Sequence, residues 1–133
     1  MVRNIIAVIL GIIGGGLIVG LIQQLSHKRY GSADGISLED VEGLTAFIET
    51  LPTEAFLFVI LAHCTGAFMA GIIASKLSIN NHYLLGLIAA FALLLATLVT
   101  VFSIPGQPDW VLYTDPAATL LCGWLGAKLG STI

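Results

Sequence analysis

Residues Thr53–Lys76 read TEAFLFVILAHCTGAFMAGIIASK, a run of 24 residues whose interior carries a single ionisable side chain, His63. At roughly 1.5 Å per residue such a helix crosses the hydrocarbon of a bilayer. At about 100° per residue, His63, Gly66, Ala67, Ala70 and Ala74 fall on one face, while Thr65, Phe68, Met69 and Ile72 point elsewhere. In lipid the apolar drive between helices is weak, and small residues mark where a partner backbone comes close. His63 therefore faces protein.

The composition around this stretch sets the class. The 133 residues are 57% hydrophobic and 10% charged, with a mean hydropathy of +1.00. Soluble domains carry about 25% charged residues. The expectation is one all-α integral membrane domain: four transmembrane helices in one bundle, plus a short amphipathic surface helix between spans one and two. The net charge of −3 without a basic run excludes nucleic acid as a natural partner.

The other spans follow from the same reading. Span one covers about 4–25. Its apolar run is longer than the core of a signal peptide, and no small-x-small cleavage site follows, so a retained span is expected. Gly11 and Gly15 lie on one face at close-packing spacing. A phosphate loop is the alternative for such glycines, but no Lys-Ser/Thr follows them. Span two is about 53–76 and span three about 83–103, where Gly86, Ala89, Ala92, Ala96, Thr100 and Ser103 form a small-residue face. Span four is about 110–129, with Gly126-xxx-Gly130 as its close-packing pair and Trp110 and Tyr113 suited to an interface belt. Asp115-Pro116 leaves its start open. Asp115 is either an N-cap with proline at the first helical position, or part of a helix that begins near Pro108 and kinks at Pro116.

Between spans one and two, Tyr30–Gly35 is a turn-rich loop. Ser37 then reads as an N-cap, with Asp40 completing an imperfect capping box. Leu38, Val41, Leu44, Phe47, Ile48 and Leu51 recur at helical spacing, and Glu39, Glu42 and Glu49 take the other side. An amphipathic helix over about 38–51 is expected to lie along the membrane surface or to lid the bundle. The eight acidic residues all lie at or near this side. Arg3, Lys76 and Lys128 against Lys28 and Arg29 favour cytoplasmic termini.

Three places could carry chemistry. An ionisable group inside a span is a functional hypothesis by default, so His63 is a candidate ligand-binding or proton-relay residue. The bland alternative is a neutral histidine hydrogen-bonded across a helix seam. Asp115 shares a face with Thr119, Cys122 and Gly126, and is either an inward-facing partner or an interfacial cap. Counting from the span ends puts it about 7 Å nearer the outer surface than His63, which argues against direct contact. Cys64 and Cys122 form a redox pair only if the spans bring them together; otherwise they are small apolar residues. No CxxC, no His/Cys/carboxylate set with ligand spacing and no Ser-His-Asp signature is present, so no metal, no cofactor and no enzyme activity is expected.

Several short stretches, Arg3–Gly11, Glu42–Thr53, Gly66–Gly71, Ser103–Pro105 before Trp110, and Gly126–Gly130, occur in an order that resembles a family of small bacterial four-span membrane proteins with no assigned function. The resemblance implies the fold and an inner (cytoplasmic) membrane location, and brings no activity. Relatives often have His-Pro before the turn tryptophan, where this chain has Gly106-Gln-Pro-Asp109.

The leading expectation is a non-catalytic protein acting by helix packing, as an oligomer or as an accessory subunit of a larger membrane complex. Its packing residues are Gly11, Gly15, Gly66, Ala70, Ala89, Ala96 and Gly126, and its partners are membrane lipid, other membrane subunits or a second copy. The rival is a small transporter or lipophilic-ligand binder, with His63 and Asp115 lining a cavity and Thr119 and Cys122 beside them.

Overall fold

The computed structural model describes residues 1–37 and 39–133. Five helices follow in order: α1 (Val2–Tyr30), α2 (Val41–Glu49), α3 (Thr53–Leu77), α4 (His82–Ser103) and α5 (Asp109–Thr132). Three of them, α1, α3 and α4, are long and apolar enough to cross a membrane. The fourth expected span, about 110–129, is a helix of similar length, 24 residues. Asp109, Asp115, Pro116, Lys128 and three glycines dilute its apolar content below that of the others.

α3 is the central helix and touches α1, α4 and α5. α4 also touches α1 and α5, which stand on opposite sides of the α3–α4 pair. Backbone proximity explains the small residues. A Cβ on Gly11 would stand 2.7 Å from the Ala70 carbonyl oxygen, and one on Gly15 2.5 Å from that of Gly66. Across the other seam, a Cβ on Gly71 would stand 2.6 Å from the Ala127 nitrogen, and one on Gly126 2.8 Å from Phe68 Cα. Ala70 and Ala89 are buried between these glycines. Large apolar side chains such as Leu17, Leu57, Phe91, Val99 and Leu121 point outward, the inverse of a soluble core and the arrangement a lipid surroundings calls for.

Ala96 departs from the expected packing set. It is exposed, while Leu93, Leu94, Thr97 and Val101 turn inward. Ala96 lies about 100° around the helix from Thr97, so in the half of α4 nearest α2 larger side chains fill the seam that Gly86 and Ala89 fill at the other end. Thr97 satisfies its hydroxyl on the Leu93 carbonyl, 3.0 Å away.

The surface helix is shorter than the expected 38–51. Its N-cap is Asp40, whose Oδ1 accepts from the Gly43 N–H at 2.9 Å, and not Ser37. The Ser37 hydroxyl instead accepts from the Glu39 N–H at 3.3 Å, a local turn that competes with helix. Leu38 lies outside the described residues. Leu51 falls beyond the helix end, as a residue before proline is disfavoured in helical conformation. α2 turns Leu44 inward, leaves Glu42 and Glu49 exposed, and runs alongside none of the other helices. The α4–α5 loop holds it: a Cβ on Gly106 would meet Thr45 Cα at 3.0 Å. α1 extends beyond the expected exit at Gln23–His27 to Tyr30, where Gly31 at φ +88° returns its N–H to the His27 carbonyl at 2.9 Å.

The termini share one end of the bundle with the α3–α4 turn. Asn4 ties them: its Oδ1 accepts from the Ile79 N–H at 2.9 Å and its Nδ2 donates to Asn80 Oδ1 at 2.6 Å.

Candidate functional site

α5 begins at Asp109 with Pro108 as its N-cap, so Asp115 and Pro116 lie inside the helix. That removes the interfacial-cap reading of Asp115. Its side chain is fully buried and points at α3. His63 Nδ1 stands 2.8 Å from Asp115 Oδ2 and 3.0 Å from Oδ1. It is the only ion-pair contact among the described residues. The expected axial separation is therefore wrong. Counting from span ends assumes that both helices start at one level. α5 starts about one turn deeper, below the loop containing Gly106, and its register against α3 is held by Ser75 Oγ donating to the Ala127 carbonyl at 3.2 Å. That pair has the same sequence offset as His63–Asp115, 52 residues.

Thr119, one turn along α5, is also fully buried and donates its hydroxyl to Asp115 Oδ1 at 3.3 Å. The Cys64 thiol neighbours Cys122 and Thr119, and neither cysteine is in a disulfide. The four residues singled out from sequence as ligand or relay candidates, His63, Asp115, Thr119 and Cys122, thus meet in one cluster, which Cys64 completes. His63 Nε2 has no hydrogen-bond partner among the described residues. No buried side-chain nitrogen or oxygen is left unpaired, so Nε2 shares in the 5% of His63 that remains exposed.

The chemistry available follows from the donors and acceptors. The contact fits an imidazolium beside a carboxylate, a neutral imidazole donating its Nδ1–H to the carboxylate, or a carboxylic acid donating to Nδ1. The first and last hold one more proton than the second. The pair can therefore take up and release a proton, and Nε2 is the ring atom open to a further partner. No group of three His, Cys, Asp or Glu side chains with the geometry to hold a metal ion is found among the described residues.

Beside the cluster, α4 and α5 enclose a groove of about 370 Å³, walled by Phe91, Leu94, Leu120 and Trp124, with Ala90 and Gly123 at its floor. Thr119 is its polar residue, so one side chain belongs to both groove and cluster. Towards the terminal end, Trp124 Nε1 donates to the Tyr83 hydroxyl at 2.9 Å, and Lys128 Nζ lies 4.9 Å from the Trp124 ring centroid. Comparison of the chain with family models, curated proteins and solved structures gave no match. The groove had no sequence signal, because it arises from how two helices diverge. The pairing of Asn4 with the α3–α4 turn was equally silent.

Proposed function

We propose that this is a multi-pass protein of a bacterial inner membrane, with cytoplasmic termini and α5 as a fourth span, that binds or carries a lipophilic molecule in exchange for a proton held by His63 and Asp115. One observation carries the reading. Thr119 connects a buried carboxylate–imidazole pair to an apolar groove that opens towards lipid. A buried ionisable pair is expensive in hydrocarbon, where well-packed apolar residues would serve a purely structural role as well. The groove takes an apolar body, and the fully buried Thr119 stands behind its inner wall. Proton loss or gain at the pair then changes what Thr119 presents, because its hydroxyl is oriented by Asp115. The resemblance to small four-span bacterial proteins fits the same membrane class.

Trp124 on the groove wall supplies the test. A Trp110→Phe chain in lipid vesicles leaves Trp124 as the sole tryptophan. A lipophilic aromatic amine is expected to quench it saturably, and Asp115→Asn or Thr119→Val to weaken that binding about tenfold, the order expected when a buried hydrogen-bonding group is removed. Quenching that only tracks partition into lipid, or is unchanged in both variants, removes the reading.

A second reading, action through helix packing as an oligomer or accessory subunit, is favoured by two glycines. Gly16 and Gly20 have open space where a Cβ would stand, and they lie at close-packing spacing on the exposed side of α1. The other small faces are largely consumed inside the bundle. Native mass spectrometry of gently extracted protein tests it: a defined oligomer or constant partner supports packing, and a bare monomer counts against it.

A further inference from the structure

We propose that Cys64 and Cys122 form a dithiol–disulfide site inside the membrane, oxidised by a lipid-soluble quinone. Parallel register carries the placement. Phe68 and Ile72 of α3 meet Gly126 and Gly130 of α5, and Cys64 and Cys122 are the next pair one turn earlier on the same two stripes. A Cβ on Gly126 would be 2.8 Å from Phe68 Cα, and one on Gly130 2.8 Å from Ile72 Cα. The Cα atoms of Phe68 and Gly126 are thus within roughly 4.3 Å, allowing one carbon–carbon bond. One turn, about 5.4 Å, along helices crossing at about 20° adds about 2 Å. Cys64 and Cys122 then fall in the window of about 4.4–6.8 Å between Cα atoms that a disulfide spans. The two thiols are neighbours across the seam, and each residue is half-buried, so the pair sits at the lipid-facing edge of the seam.

The surroundings supply the proton path. Cys64 also neighbours Thr119, whose hydroxyl leads to Asp115 and His63. In the reaction, the Cys64 proton passes by Thr119 to Asp115, the two sulfurs reduce the quinone as the S–S bond forms, and Asp115 then releases its proton to the reduced quinone, which takes the second from Cys122. Two S–H bonds break and one S–S bond forms. The sulfurs lose two electrons to the quinone, and both protons end on the hydroquinone oxygens. A water-soluble oxidant does not reach thiols at this depth, which is why the electron acceptor is assigned to the lipid-soluble class. The disulfide would staple α3 to α5 beside the His63–Asp115 contact. None of this depends on occupancy of the α4–α5 groove.

The test uses the full chain in anaerobic lipid vesicles with a fully substituted short-chain benzoquinone, which cannot alkylate thiols. One quinone is expected to be reduced per chain. The intact mass falls by two hydrogens, and both thiols, read by alkylation after denaturation, vanish until dithiothreitol restores them. Cys64→Ser and Cys122→Ser each abolish the reaction, and Cys64→Ala and Cys122→Ala replace them if a serine variant fails to insert. Thr119→Val slows it about tenfold or more, as loss of a proton-transfer partner does. Two alkylatable thiols after quinone treatment overturn the site, as does equal quinone consumption by the single-cysteine variants. An unchanged rate in Thr119→Val overturns the proton path.

Discussion

His63 Nδ1 lies 2.8 Å from Asp115 Oδ2 across the α3–α5 seam, and both side chains are shut away from the surface. Removing one member leaves the other buried without its partner, which costs about 3–5 kcal/mol. His63→Ala and Asp115→Ala are each expected to lose stability of that order, read as a shift in the detergent-titration midpoint of unfolding in mixed micelles. A His63→Leu/Asp115→Leu double variant should recover most of the loss, because it removes both polar groups at once. If the double variant is as unstable as the singles together, the pair is a net stabilising link and not a site kept at a structural cost.

The glycines divide into two classes with opposite expectations. Gly71 faces backbone: an added Cβ would stand 2.6 Å from the Ala127 nitrogen and 3.0 Å from the Gly123 carbonyl oxygen. Backbone cannot step aside, so Gly71→Val should cost about 1–3 kcal/mol or more by forcing α3 and α5 apart. Gly20 has open space around it, and Gly20→Ala should be neutral or stabilise by about 0.5–1 kcal/mol through helix propensity. The same unfolding titration checks both. A destabilised Gly20→Ala would point instead to a neighbour seated on that face of α1.

How much of this was legible beforehand depends on whether a feature is local. The helices around 53–76 and 83–103 follow from apolar runs bounded by Pro52, the Ser78–Asn81 turn and Pro105, and their boundaries are within a residue or so of those expected. Gly11, Gly15, Gly66, Ala70, Ala89 and Gly126 are buried because spacing along one helix already puts them on one face. Ala96 fails for the same local reason: a face defined on α4 alone says nothing about where its neighbours leave it. Asp115 needed the depth at which α5 starts, and that is set by the α4–α5 loop and by glycine contacts on a different helix. Ser37 and Asp40 are both competent caps, and the choice between them rests on a turn that involves only a few backbone groups.

Asn4 gives a third prediction. It accepts from the Ile79 N–H and donates to Asn80 across the terminal end of the bundle. Asn4→Ala hands an exposed turn amide over to water and should destabilise by about 0.5–1.5 kcal/mol. Asn4→Asp keeps the acceptor for Ile79 and loses only the donation to Asn80, so it should fall between the two. Amide hydrogen exchange at Ile79 separates the contributions: it should accelerate in Asn4→Ala and stay slow in Asn4→Asp.

The last prediction concerns the hold on α2. Gly106 has φ +82°, a left-handed conformation that costs an alanine about 1–2 kcal/mol. A Cβ there would also meet Thr45 Cα at 3.0 Å and its carbonyl oxygen at 3.3 Å. Gly106→Ala therefore strains the loop and pushes on the middle of α2 together. α2 runs alongside no other helix, so little else opposes its release. The expected outcome is local: amides of Val41–Glu49 exchange faster, while those of α3 and α5 around His63 and Asp115 keep their protection. An Asp40→Ala variant should produce the same local pattern by removing the acceptor for the Gly43 N–H, at about 1 kcal/mol. Loss of protection at His63 in either variant would mean that α2 also helps to close the end of the bundle over the buried pair.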